Sequence, residues 1–226
     1  MADPGAAGAR RRGLTVPDKA ERDDLARFVG RVVRLDPAGV VRLRVRDGGG
    51  VGVWASTGFD VIAARVVDAT LTPSDTTVNA ADLLTALAVD RESTVDPGFA
   101  VDAAWRSALP PETGYTHVED VPAVELSRIA ERGVELAKEH SGPQGPPPSL
   151  LDSTVLTVHG GSDGSAESVA VPLRCVFALS GMGFIGEGAS PDEPVRVRVT
   201  PGWLRLDARY GAVLRRRHPQ IPLLLA

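Results

Sequence analysis

A single cysteine, Cys175, and two lysines, Lys19 and Lys138, are the whole supply of those residue types in 226 residues. One cysteine cannot close a disulfide within the chain, and it cannot build a cysteine-rich metal site. Folding therefore calls for no oxidising compartment, which fits a cytoplasmic protein. Aromatic residues make up only 4% of the chain, so its core has to be assembled from Val, Leu and Ala. No apolar run approaches the roughly 18 residues of a membrane helix, and no membrane partner is expected. The basic start "ARRRG" is followed by "LTVPDKAERDD", where a secretory signal needs an apolar segment, so export by that route is not expected.

The catalytic signatures are missing too. The histidines, His117, His140, His159 and His218, stand at no metal-ligand spacing with the cysteine or with one another. There is no G-x-S-x-G elbow and no phosphate loop ending in Gly-Lys-Ser/Thr. "GMGFIG" at 181–186 has the glycine spacing of a dinucleotide fingerprint. It follows a helical pattern rather than a strand and opens no helix, so it reads as a helix stop. Cys175, mid-helix beside Arg174, reads as a small buried hydrophobe. No cofactor is implied, and the reading leans away from an enzyme.

What is present is arginine. The net charge is -4 with a pI near 5.6. That balance argues against a general nucleic-acid binder but leaves room for a local basic face. The Ala-, Gly-, Val-, Pro- and Arg-rich composition fits a high-GC bacterial genome. Such a bias explains how many arginines there are, not where they sit.

The pattern along the chain predicts an α+β fold, with mostly antiparallel sheet packed against three to four helices. Residues 1–16 are small, Gly-rich and basic, and are expected to be disordered. Residues 17–140 read as a strand meander followed by helices. A short helix starts at Pro17 and buries Leu25, Phe28 and Val29. Strands follow at 29–35, 40–46, 51–56 and 60–69, separated by "DPAG", "DGGG" and "STG" turns. Asn79 caps a helix that buries Leu83, Leu84 and Leu87. Asp96 and Pro97 open another. The strongest helical pattern follows Asp120, which caps it. Leu126, Ile129, Ala130, Gly133 and Ala137 lie on one face, and Lys138 and His140 favour its end. "SGPQGPPPS", 141–149, reads as a stiff linker and a boundary. Residues 150–214 hold strands at 153–159 and 167–171, a short helix from Pro172, and a hairpin at 195–207, either as a second domain or within the same fold as 17–140. Residues 215–226 form a basic, then apolar, tail.

That hairpin, "VRVRVTPGWLRLD", carries the functional reading. With Pro201-Gly202 as the loop, Arg198 faces Arg205, Arg196 faces Asp207 and Val197 faces Leu206. Side chains alternate. Val195, Val197, Val199, Leu204 and Leu206 therefore belong to the core, and Arg196, Arg198, Arg205, Asp207, Thr200 and Trp203 share the other face. Two opposed arginines repel unless an acid or anion sits between them. Trp203 can stack on a guanidinium or anchor a partner. Pro-Gly favours a type II turn, which fits hairpin twist less well than the primed turns. In the first ribbon, 41–55, Arg44 is expected opposite Val53 and Leu43 opposite Trp54, with Arg42, Arg44 and Arg46 as a basic stripe. Arg215, Arg216 and Arg217 extend the basic surface.

The leading expectation is a cytoplasmic interaction protein. It binds an acidic protein partner through Trp203, Arg196, Arg198 and Arg205. One alternative puts single-stranded nucleic acid on the same face, held by phosphate contacts and stacking, although the net charge disfavours it. Another is a small-molecule binder or enzyme with a pocket near Tyr115 and His117.

Overall fold

Apolar residues repeat with helical period from Leu25 to Val32, well past the point where a strand was expected to begin. The computed structural model describes residues 12–89, 93–140, 145–160, 167–186, 190 and 192–217. It divides into two compact units that exchange a segment in sequence. One comprises Met1–Ala55 with Val66–Arg106, and the other Ser56–Arg65 with Ser107–Ala226. Both are α+β with antiparallel pairing.

The chain enters the first unit with β1 (Gly13–Thr15), α1 (Lys19–Leu35), β2 (Val40–Val45) and β3 (Val51–Ser56). β4 (Ile62–Val67) starts in the second unit. β5 (Thr70–Thr72), β6 (Asp75–Asn79), α2 (Ala80–Val89) and β7 (Thr94–Val95) then complete the first. β1 lies between β5 and β7, so Gly13–Thr15 is ordered sheet inside the stretch expected to be disordered. β2 lies between β6 and β3. α1 and α2 pack on each other.

α1 runs through the expected strand at 29–35. Leu25, Phe28, Val29 and Val32 are buried at i, i+3, i+4 and i+7, the stripe of a helix. Asp18 caps the start, accepting from the Glu21 N–H at 2.8 Å. Pro37 disfavours helical backbone at Asp36, where the helix stops. At α2, Asn79 accepts from Ala81 N–H as expected. The helix expected from Asp96 does not form. Gly98 turns the chain with φ +101°, and only a single 3-10 turn follows, at Asp102–Ala104.

The first ribbon is paired one residue away from the expected register. Leu43 faces Val53, Arg42 faces Trp54 and Arg44 faces Gly52. Gly49 and Gly50 both take positive φ, closing a short loop in which Arg46 N–H reaches Gly50 O at 3.1 Å. A one-residue slip sends every side chain to the other face. Trp54 thus lies with Arg42 and Arg44 instead of with Leu43, and its ring covers Gly52, where a Cβ would meet Cη2 at 2.0 Å.

The second unit continues with β8 (Thr116–Pro122), α3 (Ala123–His140), α4 (Pro148–Leu151), β9 (Thr154–Gly160), β10 (Glu167–Pro172), α5 (Leu173–Gly181), β11 (Pro194–Val199), β12 (Trp203–Ala208) and β13 (Gly211–Arg216). In this unit β4, β13, β12, β11 and β8 are neighbours in that order. β9 and β10 form a separate pair. α5 is buried from Leu173 to Leu179. Gly133 lets α3 approach it, since a Cβ there would sit 2.8 Å from Leu173 Cδ1 and Phe177 Cε1. Phe59 meets Phe177 with ring centroids 5.8 Å apart.

Three expectations need correction here. The division falls after Arg106, and the described part of the proline-rich stretch lies inside the second unit, with Pro148 opening α4. Residues 116–122 are a strand, so Asp120 is not a helix cap. Arg215 and Arg216 end β13 rather than start a tail. Residues 1–11 and 218–226, and the expectations placed on them, lie outside the described residues.

Cys175 is fully buried in α5. Burial pushes its thiol up to about 12. The native protein is therefore expected to leave this thiol unmodified by an aromatic disulfide reagent at mild alkaline pH. Fast labelling before unfolding would contradict that. The thiol stays protonated in the folded state, so its contribution to stability is whole below its ordinary value of 9.0 and is lost as pH rises toward about 12.

Candidate functional site

The 195–207 hairpin pairs as the alternation predicts: Arg196 with Asp207, Val197 with Leu206, Arg198 with Arg205 and Val199 with Leu204. Thr200 N–H donates to Trp203 O at 2.9 Å, and Trp203 N–H donates to Thr200 Oγ1 at 3.0 Å. The loop has two residues, but Gly202 does not take positive φ, so it is not the type II turn that Pro-Gly favours. Val195, Val197, Val199, Leu204 and Leu206 are buried. Arg196 is exposed, and Arg198, Trp203, Arg205 and Asp207 are half-buried on the opposite face.

Asp207 resolves the opposed arginines. Its Oδ1 accepts from Arg205 Nε at 2.7 Å and lies 2.6 Å from Nη2, while Oδ2 lies 3.5 Å from Arg198 Nη1. One carboxylate thus serves both guanidinium groups, although its cross-strand partner is Arg196. Arg196 instead lies 4.0 Å from Asp120, supplied by β8. β8 also places His117 opposite Arg198, with His117 Nε2 2.8 Å from Asp120 Oδ1.

Two aromatic–cation stacks complete the face. Arg205 lies over the Tyr115 ring at 5.4 Å, and Arg216 over the Trp203 ring at 5.2 Å. The stack expected on Trp203 therefore forms with an arginine from β13 rather than with one from the hairpin. The sequence places Arg216 only on the wider basic surface, with Arg215 and Arg217, and not beside Trp203. The period-2 run "GAVLRR" is the signal that extends β13 to it. Arg215 and Arg217 do not join this surface as a patch. Arg215 pairs with Asp152 at 2.8 Å, and Arg217 donates to Thr200 O at 3.2 Å.

Tyr115 and His117 are placed differently from each other. Tyr115 is half-buried under Arg205, and burial pushes its phenol up to about 12. The phenol therefore stays protonated near neutral pH. His117 is exposed beside Asp120. In the first unit a related device appears. Arg42 donates from Nε and Nη2 to the two oxygens of Asp75 at 2.9 and 2.8 Å, and Arg44 lies 4.0 Å from the same carboxylate. Each unit thus holds a pair of ribbon arginines with one shared aspartate.

Among the described residues, no helix is long and apolar enough to cross a membrane.

Two family models match the chain, each described as a domain of unknown function: DUF8010 over residues 9–107 and DUF8185 over residues 110–220. The border between them coincides with the structural division after Arg106. No curated protein matches the sequence. Solved structures do. The DNA polymerase sliding clamp of Bacillus subtilis is similar with a TM-score of 0.59 at 14% identity, over 94% of this chain and 66% of that one. The β sliding clamp of C. crescentus gives 0.57 at 17%, over 93% and 66%. A putative DNA polymerase III β subunit from Eubacterium rectale gives 0.57 at 11%, over 91% and 64%. The chain spans about two thirds of the length of these clamps. At such identities the likeness is one of fold.

Proposed function

We propose that this chain is a cytoplasmic interaction protein built on a sliding-clamp-like fold. Its outer face on β8, β11, β12 and β13 binds an acidic segment of a protein partner. The observation that carries this reading is the charge count on that face. Four guanidinium groups, Arg196, Arg198, Arg205 and Arg216, share it with two carboxylates, Asp120 and Asp207. A face with surplus guanidinium and a half-buried tryptophan has the composition of a binding hot spot. Trp203 is the anchor, Arg196 and Arg198 supply charge, and Arg205 is a positioning residue clamped by Asp207 and Tyr115. The occurrence of this fold in clamps named for a DNA polymerase supports an interaction role over a catalytic one.

A protein partner is favoured over nucleic acid by the helices. α3 carries Glu125, Glu131, Glu135 and Glu139 among its arginines, so it offers no continuous basic surface to a polyanion.

The test is affinity capture from lysate of the source cell, with nuclease treatment and a Trp203→Ala control. A protein retained after nuclease and lost with Trp203→Ala is expected, with affinity for the purified partner falling about 30-fold. Trp203 is only half-buried, so the variant should keep its circular dichroism spectrum and lose about 1 kcal/mol of stability. Equal binding by Trp203→Ala rejects the proposal. Loss of all binding on nuclease treatment replaces it with single-stranded nucleic acid.

A further inference from the structure

Phe99 is 84% exposed, the most exposed large apolar side chain among the described residues. A single exposed apolar residue normally needs no explanation. This one differs because the backbone that carries it is held on both sides. Before it, Asp96 Oδ1 accepts from Gly98 N–H at 3.0 Å, and Arg12 Nη1 donates to Gly98 O at 3.1 Å. Gly98 makes a corner at φ +101° that an L side chain would strain. After it, Ala100 bridges to Val78 in β6, and Val101 N–H donates to Thr77 O at 2.8 Å. Asp102 Oδ1 then accepts from Thr77 N–H at 2.6 Å. The run 96–102 is thereby laid along the edge of β6, with Phe99 and Val101 both exposed.

A tethered loop that holds an aromatic ring in water has already given up the conformational freedom that binding would otherwise cost. None of the described residues of the first unit covers the ring. Among the described residues, the charges beside it are mostly acidic. Asp96 and Asp102 flank it in sequence, and the side chain of Asp82 lies against Gly98, within 3.3 Å of where a Cβ would stand. Among the described residues, Arg12 is the cation hydrogen-bonded to the loop, and it is spent on a backbone carbonyl. Arg42 feels Asp102 but is closed bidentately on Asp75.

We infer that the 96–102 loop is a second docking element, distinct from the arginine face, that inserts Phe99 into an apolar pocket of a protein partner whose rim carries lysine or arginine. The acidic collar chooses that occupant. It repels phosphate backbones and anionic membranes, and it complements a basic rim. The partner proposed for the arginine face is acidic, so the two surfaces attract different partners of opposite charge.

The experiment is photo-crosslinking from Phe99→p-benzoylphenylalanine in the source cell. Exposed Glu139 carries the same group as a control. The crosslinked protein is identified by mass spectrometry, purified, and titrated against the full chain. The expected result is one heterologous protein, crosslinked at apolar residues flanked by Lys or Arg. Phe99→Ala should weaken it by about tenfold or more, and Asp96→Asn with Asp82→Asn should weaken it mainly at low salt. Trp203→Ala should leave it unchanged, which separates this inference from the arginine-face reading. No crosslink above the Glu139 control overturns the inference. So does crosslinking only to lipid, nucleic acid or another copy of this chain, or equal binding by Phe99→Ala.

Discussion

Replacing Arg174 with methionine is expected to lower stability by about 3 kcal/mol in chemical denaturation. Arg174 is a buried cation in the second unit, with its side chain only 9% exposed. Its Nε and Nη2 both reach Asp152 Oδ1 at 2.9 Å, and Nη1 donates to the Phe59 carbonyl at 2.7 Å. Asp60, at positive φ, stands 3.9 Å away. The guanidinium therefore ties α5 to the segment 56–65, which arrives from the first half of the chain and brings Phe59 onto Phe177. Methionine keeps much of the volume but leaves the Phe59 carbonyl without its donor. Asp152 keeps Arg215, which limits the loss. A change below about 1 kcal/mol would mean that water replaces the guanidinium without cost, and that the cluster is not what holds this segment.

The second large effect is at Asp207, and it has two signs. Asp207→Asn keeps an acceptor for Arg205 but removes the charge that separates Arg198 from Arg205. Stability should fall by about 2 kcal/mol, because two partly desolvated guanidinium groups then face each other directly. Solvent screening of Arg198, whose side chain is 37% exposed, keeps the loss this small. The same substitution raises the net positive charge of the face. Association with the acidic partner captured by the wild-type chain should therefore quicken about threefold at low salt, and the gain should vanish at high salt. Stopped-flow association at two ionic strengths decides this. A slower association rate with an unchanged melt would show that Asp207 contacts the partner itself, and the arginine face would need redrawing.

The hairpin at 195–207 was legible because two local signals agree there. Pro201-Gly202 limits the loop, and strict alternation leaves one register that buries every valine and leucine. α3 was legible for the same kind of reason, with its buried stripe at Leu126, Ala130, Gly133 and Ala137. The first ribbon was not, because "DGGG" permits several loop lengths. The positive φ of Gly49 and Gly50 selects among them only once the sheet is assembled. Residues 29–35 satisfy both a strand and a helix pattern, and the choice fell to the stripe begun by Leu25 and Phe28.

The candidate site divides in the same way. Which side of the hairpin faces water follows from periodicity two, a property of the strand alone. The company of each arginine does not. Tyr115, just before β8, and Asp120, within it, lie about 80 residues upstream, and Arg216 comes from β13. Local sequence determined the antiparallel α+β character, the hairpin register and the arginine face, because near-neighbour sterics and hydrophobic alternation act within a few residues. Only the tertiary structure decided the segment exchange at 56–65, the shared carboxylate of Asp207, the stack on Trp203 and the outward hold on Phe99. Each of these depends on strands that meet through burial of apolar surface, which is non-directional and carries no record of sequence distance.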